Sequence, residues 1–524
     1  MVSSRDISTP PENLGQRLIE ENHCDDSLTY VSPLLTISKD PKLVAHGRGL
    51  VATSSIESGE LLFVHPPTVK AEISQVLRIY QNKASNASET SGSSSLLESI
   101  AETILLKEMK RVVRSKKKAN SAKIAASFLA LNSDHSVNNE AEMSSSENEE
   151  KESQQLLKVL LGMGSDERVA QVLEKCGGCA DDKDYLLGII RHNAFGPDFH
   201  HYHRMENELL KNNNSDNNST KSSSIYSRIL GHYPLAAMIN HSCGPTNATR
   251  VFYNEVMVAT ATQTIPAGTE ILWPYCPPIS PFPLRNEQLT SCYGFSCLSS
   301  RRSILEKRAY DLKIPPPEIP LEGANENSFG GGESSSEKIV DAQLDLNQWD
   351  KILKSLDVWY KVVAAKSEVS DTSSNEEEQQ KLLEHGLRLG HTQLYIRYFN
   401  KALQQQQVQN SQREALQIRA KIVSEAEKLH AAFSVVHNAC TEHLSLLHLC
   451  YELSATKAAN TNDHEGMNDI RFWTEELKKA HLSRYSTEVV GKDLATLRNV
   501  LKHTRTVLRT QDGWKHSHGT NSFI

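Results

Sequence analysis

The sequence predicts an α+β protein: a β-rich domain with a helical insertion, followed by an all-α helical array. Three observations predict it. Residues 31–80 and much of 186–302 alternate apolar and polar positions between glycine and proline turns, the period of half-buried strands. Within 81–185 that alternation gives way to helical spacing at Leu97, Ile100, Ile104, Leu105, Met109 and Val112. After residue 340 only the helical period remains, with Trp349, Leu353, Leu356, Tyr360 and Val363 on one face.

Length and composition set the outer bounds. At 524 residues the chain exceeds one ordinary core and predicts two or three domains. A net charge of -7 gives no global basic footprint, which argues against direct nucleic-acid binding. Nine scattered cysteines do not form the dense framework of a small secreted domain, so a reducing compartment is expected. The opening MVSSRDISTPPENLG lacks a basic region followed by an apolar run, and no apolar stretch approaches about 18 residues. The expectation is a soluble monomer of the cytoplasm or nucleus with no membrane partner.

Taken in order, residues 1–30 are a polar arm. Residues 31–80 hold LLTISKD and GRGLVATSSIESGELLFVHPP, short strands joined by turns at Gly47, Gly49 and Gly59 and stopped by a proline pair. A lone Gly47-Arg48-Gly49 reads as a turn in which glycine supplies positive φ, or as backbone kept bare so that a ligand can approach. Residues 81–185 form a helical and low-complexity insertion. Its tracts SNASETSGSSS and NSDHSVNNEAEMSSSENEEKESQQ are too polar to bury a core and are expected to be linkers. The basic cluster Lys116-Lys117-Lys118 reads as a solvated helix end or, less simply, as an import or phosphate-contacting signal. Cys176-Gly-Gly-Cys179 is half a zinc pattern with no further close ligands to complete a tetrahedral shell.

Residues 186–302 carry the motifs. Asn193-Ala-Phe195 precedes a polar loop, then comes LAAMINHSC, a short apolar helix with Asn240-His241 at a sharp turn, followed by Cys243-Gly244-Pro245-Thr246-Asn247. VFYNEVMVATATQTIPAGTEILWPY reads as two strands with a Pro-Ala-Gly turn, ending Gly268-Thr269-Glu270-Ile271-Leu272-Trp273-Pro274-Tyr275. Together these strings resemble the N-H-S-C-x-P-N and G-E-E-L-x-x-x-Y signatures of SET domains, the fold that methylates protein lysines. The later RNEQLTSCYGFSCLSS resembles that family's closing post-SET segment at Gln288, Leu289, Tyr293, Phe295 and Cys297.

The resemblance implies S-adenosyl-L-methionine as cofactor and a protein substrate with an exposed lysine, histones included. It implies cofactor contacts at His46, Gly47, Arg48, Asn193, Asn240, His241 and Phe295, with Tyr275 as the catalytic residue. The sequence departs from the family at three places. His46 is an unusual choice, the loop before Asn247 has one extra residue, and Ser299 and Arg302 stand where two zinc-binding cysteines are expected. With Cys276 and Cys292 out of register, no bound metal is expected. The layout is similar to that of SET-and-MYND (SMYD) proteins without their two-zinc module.

Residues 303–340 are a Pro-, Gly- and Ser-rich linker. Residues 341–510 are expected to form a helical array, its further runs covering about 376–406, 411–457 and 466–508, and the closing EVVGKDLATLRNVL is similar to the end of the tetratricopeptide-like domain of SMYD proteins. His437, His443 and His448 fall on one predicted helix without a metal-binding carboxylate, and residues 511–524 are a tail. Two functions stay open: a lysine methyltransferase, or an inactive SET scaffold whose helical array recruits partners.

Overall fold

Residues 7–20, 28–44, 47–72, 75–76, 78–79, 93–115, 119–132, 146–176, 182–195, 229–253, 255–297, 300–317, 344–367, 376–409, 411–461 and 464–490 are described by the computed structural model. His46, Lys116–Lys118, Cys179 and Ser299 lie outside the described residues. The architecture is α+β, as the two periodicities predict. The chain divides into two compact units.

The first unit comprises Met1–Asn240, Asn247–Leu272 and Leu482–Gln511. Its strands begin with β1 Tyr30–Val31, β2 Leu35–Ser38, β3 Gly49–Ala52, β4 Leu61–His65 and β5 Val69–Glu72. After the insertion come β6 Ala194–Phe195, β7 Ile229–His232, β8 Asn240–His241, β9 Ala248–Tyr253, β10 Val256–Ala261 and β11 Leu272–Trp273. One sheet runs β1-β4-β10-β9, with β10 antiparallel to both neighbours and Val258 opposite Val64 and Val251. Every residue of β4 and β10 is buried, so this pair forms the centre of the unit. Smaller sheets pair β2 with β3 and order β5-β7-β6.

Two strands were expected between Arg250 and Tyr275, but β9 and β10 already form a hairpin with each other. The Pro-Ala-Gly turn then carries the chain back to β3 instead: Gly268 N–H donates to Ala52 at 2.7 Å and Ile271 N–H to Leu50 at 2.8 Å. Gly268 has φ +76, the conformation that this tight turn demands.

The insertion is helical, with α1 Leu14–Glu20 preceding it and α2 Ser93–Arg114, α3 Ala119–Leu129, α4 Ser146–Leu160, α5 Asp166–Lys175 and α6 Lys183–Asn193 within it. Ser165 caps α5 through the Arg168 N–H, and Asp182 caps α6 through the Asp184 N–H. The polar tract expected to be a linker is helical from Ser146. Its Ser153 hydroxyl lies 2.7 Å from Thr36 Oγ1, accepts from the Ile37 N–H at 2.9 Å and donates to the Ile37 carbonyl at 2.6 Å. One side chain thus satisfies the open edge of β2 while Leu157, Val159 and Leu160 are buried. Cys176 is buried at the end of α5, its thiol 3.7 Å from the Leu129 carbonyl.

The second unit comprises His241–Thr246, Trp273–His481 and Asp512–Ile524. Its helices are α7 Phe282–Tyr293, α8 Arg301–Asp311, α9 Leu346–Lys366, α10 Glu376–Gly390, α11 Thr392–Val408, α12 Gln412–Val436, α13 Thr441–Thr461 and α14 His464–Tyr485, whose last turn enters the first unit. A capping box of Asp345 and Gln348 starts α9, and Trp349, Leu353, Leu356, Tyr360 and Val363 are all buried along it.

α10 packs on α9 and α8 and, skipping a neighbour, on α12, while α12 also packs on α11 and α13. The run 376–406 breaks at His391, and 411–457 breaks at 437–440, where Ala439 takes φ +57. His437 therefore ends α12 and does not share a helix with His443 and His448, which correct the single-helix expectation. Among the described residues no helix is long and apolar enough to cross a membrane.

The first unit also recruits chain from beyond the array. Ser483 Oγ lies 2.8 Å from Ser58 Oγ, Thr260 Oγ1 donates to the Arg484 carbonyl at 2.9 Å, and the Tyr485 ring stands edge-on to Tyr253. A short helix, α15 Thr487–Val490, then packs on α1.

Candidate functional site

In the first unit the two signature strings meet at β3. Asn240 Nδ2 donates to Glu270 Oε1 at 2.7 Å and to the Arg48 carbonyl at 3.0 Å. A Cβ on Gly49 would stand 2.6 Å from Glu270 Oε1 and 3.0 Å from Asn240 Nδ2, so this pair is what requires glycine there. Asn247 secures the segment from Glu270 to Leu272. Its Nδ2 donates to the Glu270 carbonyl at 2.8 Å and its Oδ1 accepts from the Leu272 N–H at 2.7 Å. The extra loop residue does not displace this asparagine from the Glu270 strand.

Gly47 has φ +62 and open space within 4 Å of where its Cβ would be. The Arg48 side chain is engaged within the first unit. Its Nη2 donates to the Ala130 and Leu131 carbonyls at 3.1 and 2.5 Å, capping the helical turn that follows α3, where carbonyls lack helical partners and attract a cation. Asn193 ends α6 with Nδ2 bonded back to the Ile189 carbonyl at 3.0 Å. Asn240 and His241 lie on β8, preceded by a single 3-10 turn at Ala236–Met238, and so occupy a short strand in place of the expected sharp turn.

In the second unit His241 is the hub. Its Nδ1 lies 2.9 Å from the Tyr275 N–H, which can only donate, so Nδ1 is the acceptor and the ring proton sits on Nε2. Nε2–H then donates to Cys243 Sγ at 3.1 Å. Around the imidazole stand Tyr275 at a centroid distance of 5.2 Å and Phe295 at 5.9 Å, with Tyr293 5.0 Å from Tyr275. All three outer rings are half-buried. Beneath them Cys243, Cys276, Cys297 and Leu289 form a buried cluster.

The loop 243–246 is held from two sides. Thr246 Oγ1 lies 2.6 Å from His437 Nδ1, and the Thr246 N–H donates to the Val436 carbonyl at 3.2 Å. Gly244 has φ +136, and a Cβ there would meet Val436 Cγ1 at 2.5 Å. From α8, Arg302 donates to the carbonyls of Cys243, Pro278 and Gly386 at 3.1, 2.8 and 2.9 Å and pairs with Glu306 at 2.9 Å. Arg285 on α7 pairs with the same carboxylate and with the Ser280 carbonyl.

Hydrogen bonds from Cys276 and then Cys297, with His241 and the Arg285 charge, pull the Cys243 thiol well below its ordinary range. The same interaction with Cys243, reinforced by burial, pushes Cys276 and Cys297 up.

His241, Cys243 and Cys297 offer one nitrogen and two sulfurs within 4.8 Å of one another, with Cys276 beside Cys243. A zinc ion does not fit this set. A ligating histidine donates its second ring N–H outward, whereas the second nitrogen of His241 accepts one. The position where the family's third post-SET cysteine is expected holds the Arg302 cation, and Arg285 bears on Cys243 as well. Sequence reasoning sets Cys276 aside as out of register, although it belongs to this cluster, and misses Arg285 and Glu306. The adjacency of Cys276 to Tyr275 was the one available signal.

No curated protein matches the chain. Among solved structures it is similar to "Structure of Rubisco LSMT bound to AdoMet" at 12% identity, covering 74% of this chain and 92% of that one, with a TM-score of 0.27. It is also similar to the SET domain of LSMT bound to lysine and AdoHcy at 13% identity, covering 73% and 90%, with a TM-score of 0.25. The Rubisco LSMT bound to sinefungin and monomethyllysine gives 12% identity, 73% and 91% coverage, and a TM-score of 0.26. Residues 47–276, the stretch from Gly47 through Asn240 and Tyr275 to Cys276, match the family model described as SET domain.

Proposed function

We propose that this chain is an S-adenosyl-L-methionine-dependent methyltransferase acting on lysine side chains of a protein substrate, with Tyr275 as the catalytic residue. The observation that carries the reading is the half-buried ring cluster of Tyr275, Tyr293 and Phe295 around His241, at the end of the SET domain match. When bound, the cofactor supplies a methyl group on a positively charged sulfur. The chain's own residues do the rest. A free lysine has a pKa of about 10.4 and must lose its proton before it can attack. Aromatic walls exclude water and disfavour the ammonium form, and the Tyr275 hydroxyl would align the neutral amine for in-line attack.

Gly47, with its open backbone, and Asn240, His241 and Phe295 are the proposed cofactor contacts, Phe295 through the face of its ring. Asn193, whose Nδ2 is turned to its own helix, would contribute Oδ1. Substrates would be cytoplasmic or nuclear proteins with an exposed lysine, histones among them.

Isothermal titration of the full chain with S-adenosylmethionine tests cofactor binding, and transfer of labelled methyl groups to lysines in a whole-cell protein extract tests the reaction. Heat on titration and labelled lysine are the expected results. Absence of both supports the second reading, an inactive SET scaffold, which Arg302 at a zinc-ligand position favours.

A further inference from the structure

The turn that holds the 243–246 loop is itself closed by a pair of histidines. It joins α12 to α13 at 437–440, where Ala439 takes φ +57, a left-handed conformation that a Cβ disfavours. The Ala439 N–H donates to His443 Nδ1 at 3.1 Å. A backbone N–H can only donate, so Nδ1 is the acceptor and the His443 proton sits on Nε2. That proton faces His430 Nδ1 at 2.8 Å, which places the His430 proton on Nε2, 3.6 Å from Glu476 Oε2. Phe433 stacks on His443 at 5.2 Å, and Trp473 stands edge-on to His430 at 5.6 Å, which fixes both ring planes. One direction of donation thus runs from the backbone of the turn through two imidazoles to a carboxylate. His443 is buried, whereas the His430 and Glu476 side chains are 14% and 22% exposed, so water meets this line at its outer end.

A proton added to either ring sets donor against donor. On His443 it faces the Ala439 N–H; on His430 it faces the His443 Nε2–H, and the tautomer change that relieves that clash carries it on to Ala439. We propose that His430 and His443 form an acid-sensitive latch, which when neutral locks the α12–α13 turn and when protonated releases it together with the loop that follows His241. The loop hangs on this turn: the Thr246 N–H donates to the Val436 carbonyl at 3.2 Å, and Thr246 Oγ1 lies 2.6 Å from His437 Nδ1. Protonation of His437 does not break that contact, because a hydroxyl can donate to Nδ1 or accept from it. Among the described residues, Glu476 and Lys479 of α14 bear on His430 with opposite signs, and His430 and His437 bear on His443. Burial lowers both rings from the ordinary histidine range, with Glu476 opposing it at His430 and the neighbouring rings adding to it at His443. Both folded values lie below the unfolded one, so the latch is complete above about pH 6.5 and is lost as the pH falls below that. The latch stands on these contacts, while its effect on cofactor binding rests on the methyltransferase reading.

Amide hydrogen exchange on the full chain tests the proposal. Peptides spanning 243–246 and 437–443 are compared at about pH 7.5 and about pH 5, after correction for the intrinsic pH dependence of exchange, with α9 of the same unit as the reference. Exchange in both spans is expected to rise at least about tenfold relative to α9 at the lower pH and to return on neutralisation. His443→Asn keeps an oxygen where Nδ1 accepts the Ala439 N–H but cannot be protonated in this range, and its protection of 243–246 is expected to change less than about twofold. His430→Asn keeps the acceptor for the His443 proton, removes the ring that water reaches, and is expected to behave alike should the first variant not fold. Protection of 243–246 that survives acid in the wild type overturns the latch. So does a loss that the folded variant shares in full, or one that α9 shares, which is general unfolding. Calorimetry separates the two readings. S-adenosylmethionine affinity is expected to fall with the same midpoint in the wild type and to hold in the variant, whereas a chain that binds no cofactor at any pH yet shows the exchange change sinks the methyltransferase reading alone.

Discussion

Asn240 and Glu270, thirty positions apart in sequence, are joined by a 2.7 Å hydrogen bond from the amide to the carboxylate, packed directly against the bare backbone of Gly49. The pair links the first and last motifs of the SET domain match through the strand that opens it. Gly49→Ala would drive a methyl group into both partners. The expected loss is about 1–3 kcal/mol of stability, read by urea denaturation, with weaker S-adenosylmethionine binding in the folded fraction. An alanine variant of wild-type stability would show that the pair can move aside.

Tyr275→Phe removes only the hydroxyl and keeps the ring contacts with His241 and Tyr293. If the hydroxyl aligns the amine, kcat falls on the order of 100-fold while the cofactor dissociation constant stays within about twofold. Steady-state kinetics beside calorimetry separates the two. Equal losses in both would make the tyrosine a structural residue.

Glu306→Gln leaves Arg285 and Arg302 without their shared carboxylate in the core of the second unit. The expected cost is about 3–5 kcal/mol, the penalty of an uncompensated buried charge. Differential scanning calorimetry would register it as a large fall in Tm. A change within experimental error would mean that water reaches these guanidiniums.

His65 on β4 and His232 on β7 are buried and held neutral, burial lowering the first to about 4 and burial together with the neighbouring His65 lowering the second to about 3. Both folded values lie below the unfolded histidine value. Their contribution is therefore complete above about pH 6.5 and is lost as the pH falls toward about 4 for His65 and further for His232. For His65 alone the loss amounts to about 3 kcal/mol. Urea midpoints between neutral pH and pH 4.5 check the slope, and His65→Phe should flatten it.

How far the sequence discloses this protein depends on the range of the interaction. Short runs bounded by turn signals marked β4 and β10, and helical spacing marked α9, because both patterns are local. The Asn240 and Glu270 strings were recognisable because each is contiguous. The helical state of 146–160 was not, since its polar composition hides the one serine that seals the β2 edge more than a hundred residues upstream. The side chain of Arg48 was assigned to a ligand because nothing in G-R-G reveals the helix end at Ala130 that it caps. Arg302 reads as a replaced zinc-binding position and Glu306 falls in a stretch that reads as linker, and only their folded proximity to Arg285 discloses a buried cluster on two helices.

The return of Leu482–Val490 to the β-rich unit bears on biogenesis. A chain that stops before Leu482 lacks the serine, arginine and tyrosine that seal Ser58, Thr260 and Tyr253. The β-rich unit therefore completes these contacts only once its C-terminal segment is present. Any shorter chain that keeps the SET domain match but stops before Leu482 starts from a core without these contacts.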